Sequence, residues 1–149
     1  PLMEVWRHSQ DVIHRFKQAQ NAVLFAAGSC WEGVDFPGDM VSSLIVVRLP
    51  FPVPDPLSEA EREQYPTLQD YIKTVVIPDM QVKLRQGFGR AIRTETDTCV
   101  VSILDHRAAP GERYHKAVLD TLPPIRITAK IEDVEDFIRA KKGPDYFTP

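Results

Sequence analysis

Short apolar runs alternate with stretches of helical period along this chain. Val12, Ile13 and Phe16 recur at the spacing of one helix face within residues 5–18, where Val5 and Trp6 add apolar bulk among charged neighbours. Residues 21–27, containing AVLFAA, read as a short buried strand, followed by a turn punctuated by Gly28, Gly33, Pro37 and Gly38. LIVVRL, residues 44–49, is a second buried strand rich in β-branched positions. LPFPVPDP then places Pro50, Pro52, Pro54 and Pro56 in close succession. Proline fixes φ and removes a donor, so this stretch is predicted as an extended connector.

Residues 57–77 are charged and mostly helical in pattern, with Pro66 as a break. Pro78 and Asp79 are predicted to open a new helix that runs to about Arg93, with Asp79 as its cap. CVVSIL, residues 99–104, is a third apolar strand ending at Asp105. A helix near 112–121, a strand near 125–128 and a last helix near 130–141 follow. The last helix places Ile131, Val134, Phe137 and Ile138 on one side, with acids early and lysines late, as the helix dipole favours. Residues 143–149 read as a loose tail.

Continuous apolar strands alternating with amphipathic helices predict an α/β fold with a largely parallel sheet. The 149 residues suit one domain, with residues 50–77 as a connector and helical lobe between core strands. The 43% apolar share is enough for a core, and no apolar run approaches the roughly 20 residues a membrane span needs. A formal charge of −3 argues against a protein that coats nucleic acid, while leaving room for a local basic groove. Cys30 and Cys99 are too few and too far apart for a zinc or iron–sulfur motif. They read as small buried apolar residues of a reducing, cytoplasmic compartment.

Two constellations carry chemistry. GSCWEGVDFPG, residues 28–38, follows a buried strand, at the carboxyl end where open α/β sheets bind ligands. Glu32 and Asp35 flank Gly33 there, with Trp31 beside them. On composition alone the same pattern also describes a capped turn with solvated acids. The second constellation is QGFGRAIR, residues 86–93, within the helix after Asp79. At about 100° per residue, Gln86, Arg90 and Arg93 share one stripe, while Met80, Leu84, Phe88 and Ala91 lie on roughly the opposite side. Gly87 and Gly89 together cost about 1–2 kcal/mol in a helix interior, which natural helices avoid unless something approaches closely. Two guanidiniums one turn apart make a clamp for a polyphosphate.

VLFAAGSCWEGVDFPG resembles motif V of the DinG/XPD-like helicases of superfamily 2, and KLRQGFGRAIRTETDTCVVSILDHR resembles their motif VI and the strand after it. LIVVRLPFPVPDP and YHKAVLDTLP resemble the DinG branch. The likeness covers roughly residues 10–124, with both motifs in order. Cys30 stands where the family has an aromatic and Cys99 where it has glycine, and neither position supplies a nucleotide-facing charge. The resemblance implies a RecA-like domain of the P-loop NTPase type, the second of two motor domains that hold ATP and Mg²⁺ between them. The phosphate-binding GxxxxGK[ST] loop and the acidic Mg²⁺ box belong to the first domain and do not occur in this sequence. Any iron–sulfur cluster of the family also belongs to that first domain.

By the same resemblance, Arg90 and Arg93 reach the γ-phosphate as arginine fingers and Gln86 contacts the nucleotide. Glu32, Gly33 and Asp35 lie near the nucleotide and the strand-tracking groove. Ser29 and Trp31 are candidates to contact single-stranded DNA, through a donor-rich turn and a ring that can stack; core packing is the equal alternative for Trp31. The implied function is ATP-driven translocation on single-stranded DNA, 5′ to 3′, and unwinding, with the first RecA-like domain as partner. A subunit that remodels protein–nucleic-acid complexes, or a non-catalytic binding module, would share these features.

Overall fold

The computed structural model describes residues 1–5, 10–27, 34–36, 40–92, 94 and 96–147, with no side-chain description for Gln10 and Phe147. By contacts the chain divides into two compact units. The first comprises Pro1–Leu44, Gly89–Val100 and Ile125–Pro149, and the second Ile45–Phe88 and Val101–Pro124.

The first unit opens with β1 (Leu2–Glu4), α1 (Gln10–Gln18) and β2 (Val23–Phe25). β1 and β2 pair in parallel, with Leu2 opposite Val23 and Glu4 opposite Phe25. Val23 N–H donates to the Pro1 carbonyl and Val5 N–H to the Phe25 carbonyl, each at 2.9 Å. Strand, helix and parallel strand is the basic repeat of an α/β fold. Val12, Ile13 and Phe16 are half-buried in α1, as their spacing predicts, and so is Lys17. Phe16 meets Phe36 edge-on, with ring centroids 5.7 Å apart.

β3 (Ser43–Val46) and β4 (Val100–Ile103) form a second two-stranded sheet. In the first unit Val100 N–H donates to the Ser42 carbonyl, and in the second Leu104 N–H donates to the Val46 carbonyl, both at 2.9 Å. Both bonds advance by the same step along both strands, the pattern of a parallel pair.

The second unit holds a core of Leu49, Met80, Leu84, Tyr114 and Val118, with Phe51, Ile77 and Ile103 packed against it. Met80 and Leu84 are the most deeply buried, at 0% and 1% exposure. After the proline-dense connector come α2 (Pro56–Arg62) and α3 (Leu68–Tyr71), the latter capped by Thr67. A wide helical turn, Ile72–Val76, leads directly into α4 (Ile77–Ala91).

Asp79 is therefore not the cap of a new helix, because the chain is helical from Leu68 onward. The wide turn gives the reason. Ile77 N–H reaches back five residues to the Ile72 carbonyl. Such a register change loosens the helix where the Pro78 ring would otherwise collide with the preceding turn. Asp79 instead pairs with Lys83, one turn on, at 3.0 Å.

α5 (His115–Leu119) is shorter than its sequence pattern, and a 3₁₀ turn, His106–Ala108, precedes it. The Gln81 amide of α4 donates to the Ala117 carbonyl of α5 at 2.8 Å. Residues 125–128 form no strand: they are exposed, and no sheet partner among the described residues pairs with them. α6 (Ile131–Lys141) carries Val134, Phe137 and Ile138 half-buried, while Ile131 at its first turn is 74% exposed. Beyond α6 a 3₁₀ turn spans Pro144–Phe147, and the Tyr146 hydroxyl bonds the Ser42 hydroxyl at 2.6 Å.

Candidate nucleotide-facing site

α4 presents the residues that its sequence pattern singles out. Met80, Leu84, Phe88 and Ala91 are buried, at 0%, 1%, 8% and 4% exposure. Gln86 is exposed, and Arg90, one turn later on the same stripe, is half-buried. Burying the apolar stripe fixes the helix's rotation about its own axis, and this rotation turns the polar stripe outward. Among the described residues, no hydrogen bond or ion pair engages the side chain of Gln86 or Arg90. Arg85, on the neighbouring stripe, is exposed as well.

The helical glycines have different surroundings. Gly87 is buried and Gly89 exposed. A Cβ built on Gly89 meets nothing within 4 Å. Packing inside the described chain therefore does not explain a glycine at 89, and the space above it is open to a ligand. An exposed amide, a guanidinium and a bare stretch of backbone within one turn suit an anionic group with several acceptor oxygens.

After α4 the chain turns back tightly. Thr94 donates from its N–H to Asp97 Oδ2 and from its hydroxyl to Asp97 Oδ1, both at 2.9 Å. This turn carries the chain from the end of α4 toward β4.

Of the other constellation, residues 34–36 are described. Val34 and Phe36 are buried, both at 8%, and Asp35 between them is exposed. Phe36 is held by Phe16 and by the Lys17 ammonium, 5.9 Å from its ring centroid. Ser29, Trp31, Glu32, Gly33 and Arg93 lie outside the described residues.

Sequence reasoning missed a pair at the end of β4. Asp105 is buried, and its Oδ2 accepts the Leu49 N–H at 3.0 Å. Arg107 grips the same carboxylate through Nε to Oδ1 at 2.9 Å and Nη2 to Oδ2 at 2.6 Å. The Arg107 guanidinium also lies 4.9 Å from the Phe51 ring centroid and 5.9 Å from that of Tyr114. The hydrogen bonds from the Arg107 side chain hold the Asp105 carboxyl far below the usual carboxylate range, against the opposing effect of burial. An aspartate that ends an apolar strand, with arginine two residues on, was the available signal. Its meaning depends on Leu49 and Phe51, more than 50 residues earlier in the chain.

No group of three or more His, Cys, Asp or Glu side chains among the described residues could hold a metal ion. No helix among them is long and apolar enough to cross a membrane.

Parallel strand pairs, intervening helices and an outward polar stripe on α4 define the class: an α/β domain of the RecA-like type. The helicase C-terminal domain family matches residues 3–125, and the chain belongs to that family. The ATP-dependent DNA helicase DinG of Photobacterium profundum is 39% identical over 112 residues, 74% of this chain and 16% of that protein. The ATP-dependent DNA helicase YoaA of Escherichia coli is 38% identical over 130 residues, 86% of this chain and 20% of that protein. The 3′-5′ exonuclease DinG of Bacillus subtilis is 35% identical over 130 residues, 85% of this chain and 14% of that protein. The chain thus spans from 14% to 20% of the length of these relatives.

Proposed function

We propose that this chain is the second motor domain of a DinG-type, ATP-dependent DNA helicase, in which it supplies arginine fingers to ATP held mainly by a first RecA-like domain. One observation carries the reading. Gln86 and Arg90 share the outward stripe of α4, without partners among the described residues, on a helix whose opposite face is fully packed. ATP with Mg²⁺ supplies the transferable phosphoryl group. Arg90 and Arg93 offer planar, permanently charged forks to the terminal phosphate, and Gln86 orients alongside them. Phosphoryl transfer depends on charge stabilisation, so a domain that brings only arginines can still decide the rate.

After hydrolysis the freed inorganic phosphate leaves with the charge that these arginines bind, so a cleft closed by them relaxes at each turnover. Glu32, Gly33 and Asp35 report the nucleotide state to the DNA path, and Ser29 and Trp31 touch the single strand, with Trp31 stacking on a base. Translocation runs 5′ to 3′. Strand displacement by the full-length protein, on duplexes with a 5′ or a 3′ single-stranded tail, tests this directly. Unwinding that requires ATP and the 5′ tail is expected. ATP hydrolysis without any displacement would leave the domain as the motor of a remodelling factor instead.

The Bacillus subtilis relative favours one further reading. That protein is named an exonuclease, and it carries a matching segment over 14% of its length. In such a protein the same domain would serve a nuclease elsewhere in the polypeptide. Degradation of the tailed substrates without unwinding would identify that case.

A further inference from the structure

Every residue from 53 to 64 is exposed except Ser58, which is half-buried. Val53 and Leu57 are exposed at 83% and 82%, and α2 buries no residue at all. A helix of seven residues is too short to be stable by itself, and packing does not support this one. Its order comes from local devices. Pro56 stands in its first turn, and Asp55 and Ser58 form a reciprocal capping box. Ser58 N–H donates to Asp55 Oδ1 at 2.7 Å, and Asp55 N–H donates to Ser58 Oγ at 2.9 Å. Proline at 52, 54 and 56 stiffens the approach. A segment made rigid in advance, while burying nothing, loses little further entropy when something binds it.

The charge on this segment is one-sided. Asp55, Glu59, Glu61 and Glu63 are interspersed in sequence with the two apolar positions, against Arg62 alone. That excess of three negative charges equals the formal charge of the whole chain. A nucleic-acid backbone is repelled by such a surface, whereas a basic one is attracted to it.

We propose that residues 53–64 form a docking site for a separate protein, which presents an apolar segment flanked by lysine and arginine. Val53 and Leu57 enter the partner's apolar surface, and the negative charge of the segment attracts its cations. The segment shares no residue with the nucleotide-facing stripe of α4.

The test uses full-length protein and a fluorescent amphipathic peptide of leucine and lysine, followed by anisotropy at two salt concentrations. A leucine–glutamate peptide and an oligo-dT strand serve as the other probes. The lysine peptide binds, and more weakly at high salt. Val53→Ser with Leu57→Ser lowers its affinity at least tenfold, with melting temperature and DNA-stimulated ATP turnover unchanged. Glu59→Lys with Glu61→Lys shifts preference to the glutamate peptide. Three results overturn the proposal. Unchanged lysine-peptide affinity in the double serine variant means charge attraction without docking. Oligo-dT affinity that falls in that variant means a nucleic-acid surface. No lysine-peptide binding to the full-length wild type means that the surface is not available to a separate partner.

Discussion

Arg107 holds Asp105 by two parallel N–H···O bonds, of 2.9 and 2.6 Å, while the same carboxylate accepts the Leu49 N–H. The carboxylate thus ties the end of β4 to the start of the connector after β3, inside one unit. Three functions meet at Asp105: it neutralises Arg107, satisfies a buried amide, and fixes the guanidinium over the contacting rings of Phe51 and Tyr114.

Asp105→Asn keeps the shape and loses the charge, so it should destabilise the chain by about 2–3 kcal/mol at pH 7, the range of hydrogen bonds to charged groups. The pH dependence has a definite sign. The folded-state pKa of Asp105 lies below its unfolded value of about 3.9. Its contribution is therefore complete above that value and is lost as pH falls toward the folded pKa. Denaturant melts of wild type and Asp105→Asn should differ by a constant amount from pH 7 to 5 and converge progressively below about pH 4. A gap that stays constant to pH 2 would show that the Asp105 carboxylate does not carry the stability.

Gly89 separates folding from function. Its missing Cβ would meet nothing within 4 Å, and it lies in the last turn of α4. Gly89→Ala should therefore stabilise the helix by about 0.5–1 kcal/mol. If nucleotide approaches this turn, the added methyl should also raise the KM for ATP in the full-length protein. A lowered melting temperature would mean that another part of the full-length protein packs on Gly89. A raised melting temperature with unchanged kinetics would mean that nothing approaches it.

Much of the architecture was legible in the sequence, for identifiable reasons. The α4 pattern succeeded because helical period assigns faces without knowledge of what packs on them: Met80, Leu84, Phe88 and Ala91 are buried as expected. The strand cores around Leu24, residues 44–46 and residues 100–103 were likewise visible as apolar runs. Pro78 misled, because a proline usually marks a helix start, and the wide turn at Ile72–Val76 that accommodates it has no compositional signature. Ile125 and Ile127 suggested a strand, yet apolar alternation makes a strand only where a neighbour pairs with it. β1 escaped notice because three residues are too few for a period. Of the candidate site, the outward stripe of Gln86 and Arg90 followed from spacing alone. Asp105 with Arg107 did not, because their partners are distant in sequence.

The chain by itself should hydrolyse no ATP. Its sequence contains Arg90 and Arg93, proposed to face the transferred phosphate, but no GxxxxGK[ST] loop to hold the others. Phosphate release by the purified 149-residue chain, with single-stranded DNA present, should not exceed that of an Arg90→Ala preparation made in parallel. Turnover that follows the wild-type chain through purification would overturn the division of labour between two domains.

On the proposed function, the outward stripe of α4 serves catalysis and its inward stripe serves folding. DNA-stimulated ATP turnover of full-length Arg90→Ala, measured alongside thermal melting, tests it most directly, with Leu84→Ala as the contrasting variant. Leu84→Ala should cost about 2–5 kcal/mol of stability, as expected for a leucine in a packed core. Arg90→Ala should melt within about 0.5 kcal/mol of wild type, as for a side chain without structural partners. Its kcat should nevertheless fall by a large part of the roughly 10³–10⁵-fold that an arginine finger contributes. Arg90→Lys should recover little, because an ammonium keeps the charge and loses the planar fork. Near-wild-type turnover in Arg90→Ala would contradict the account and leave this stripe a solvated basic face.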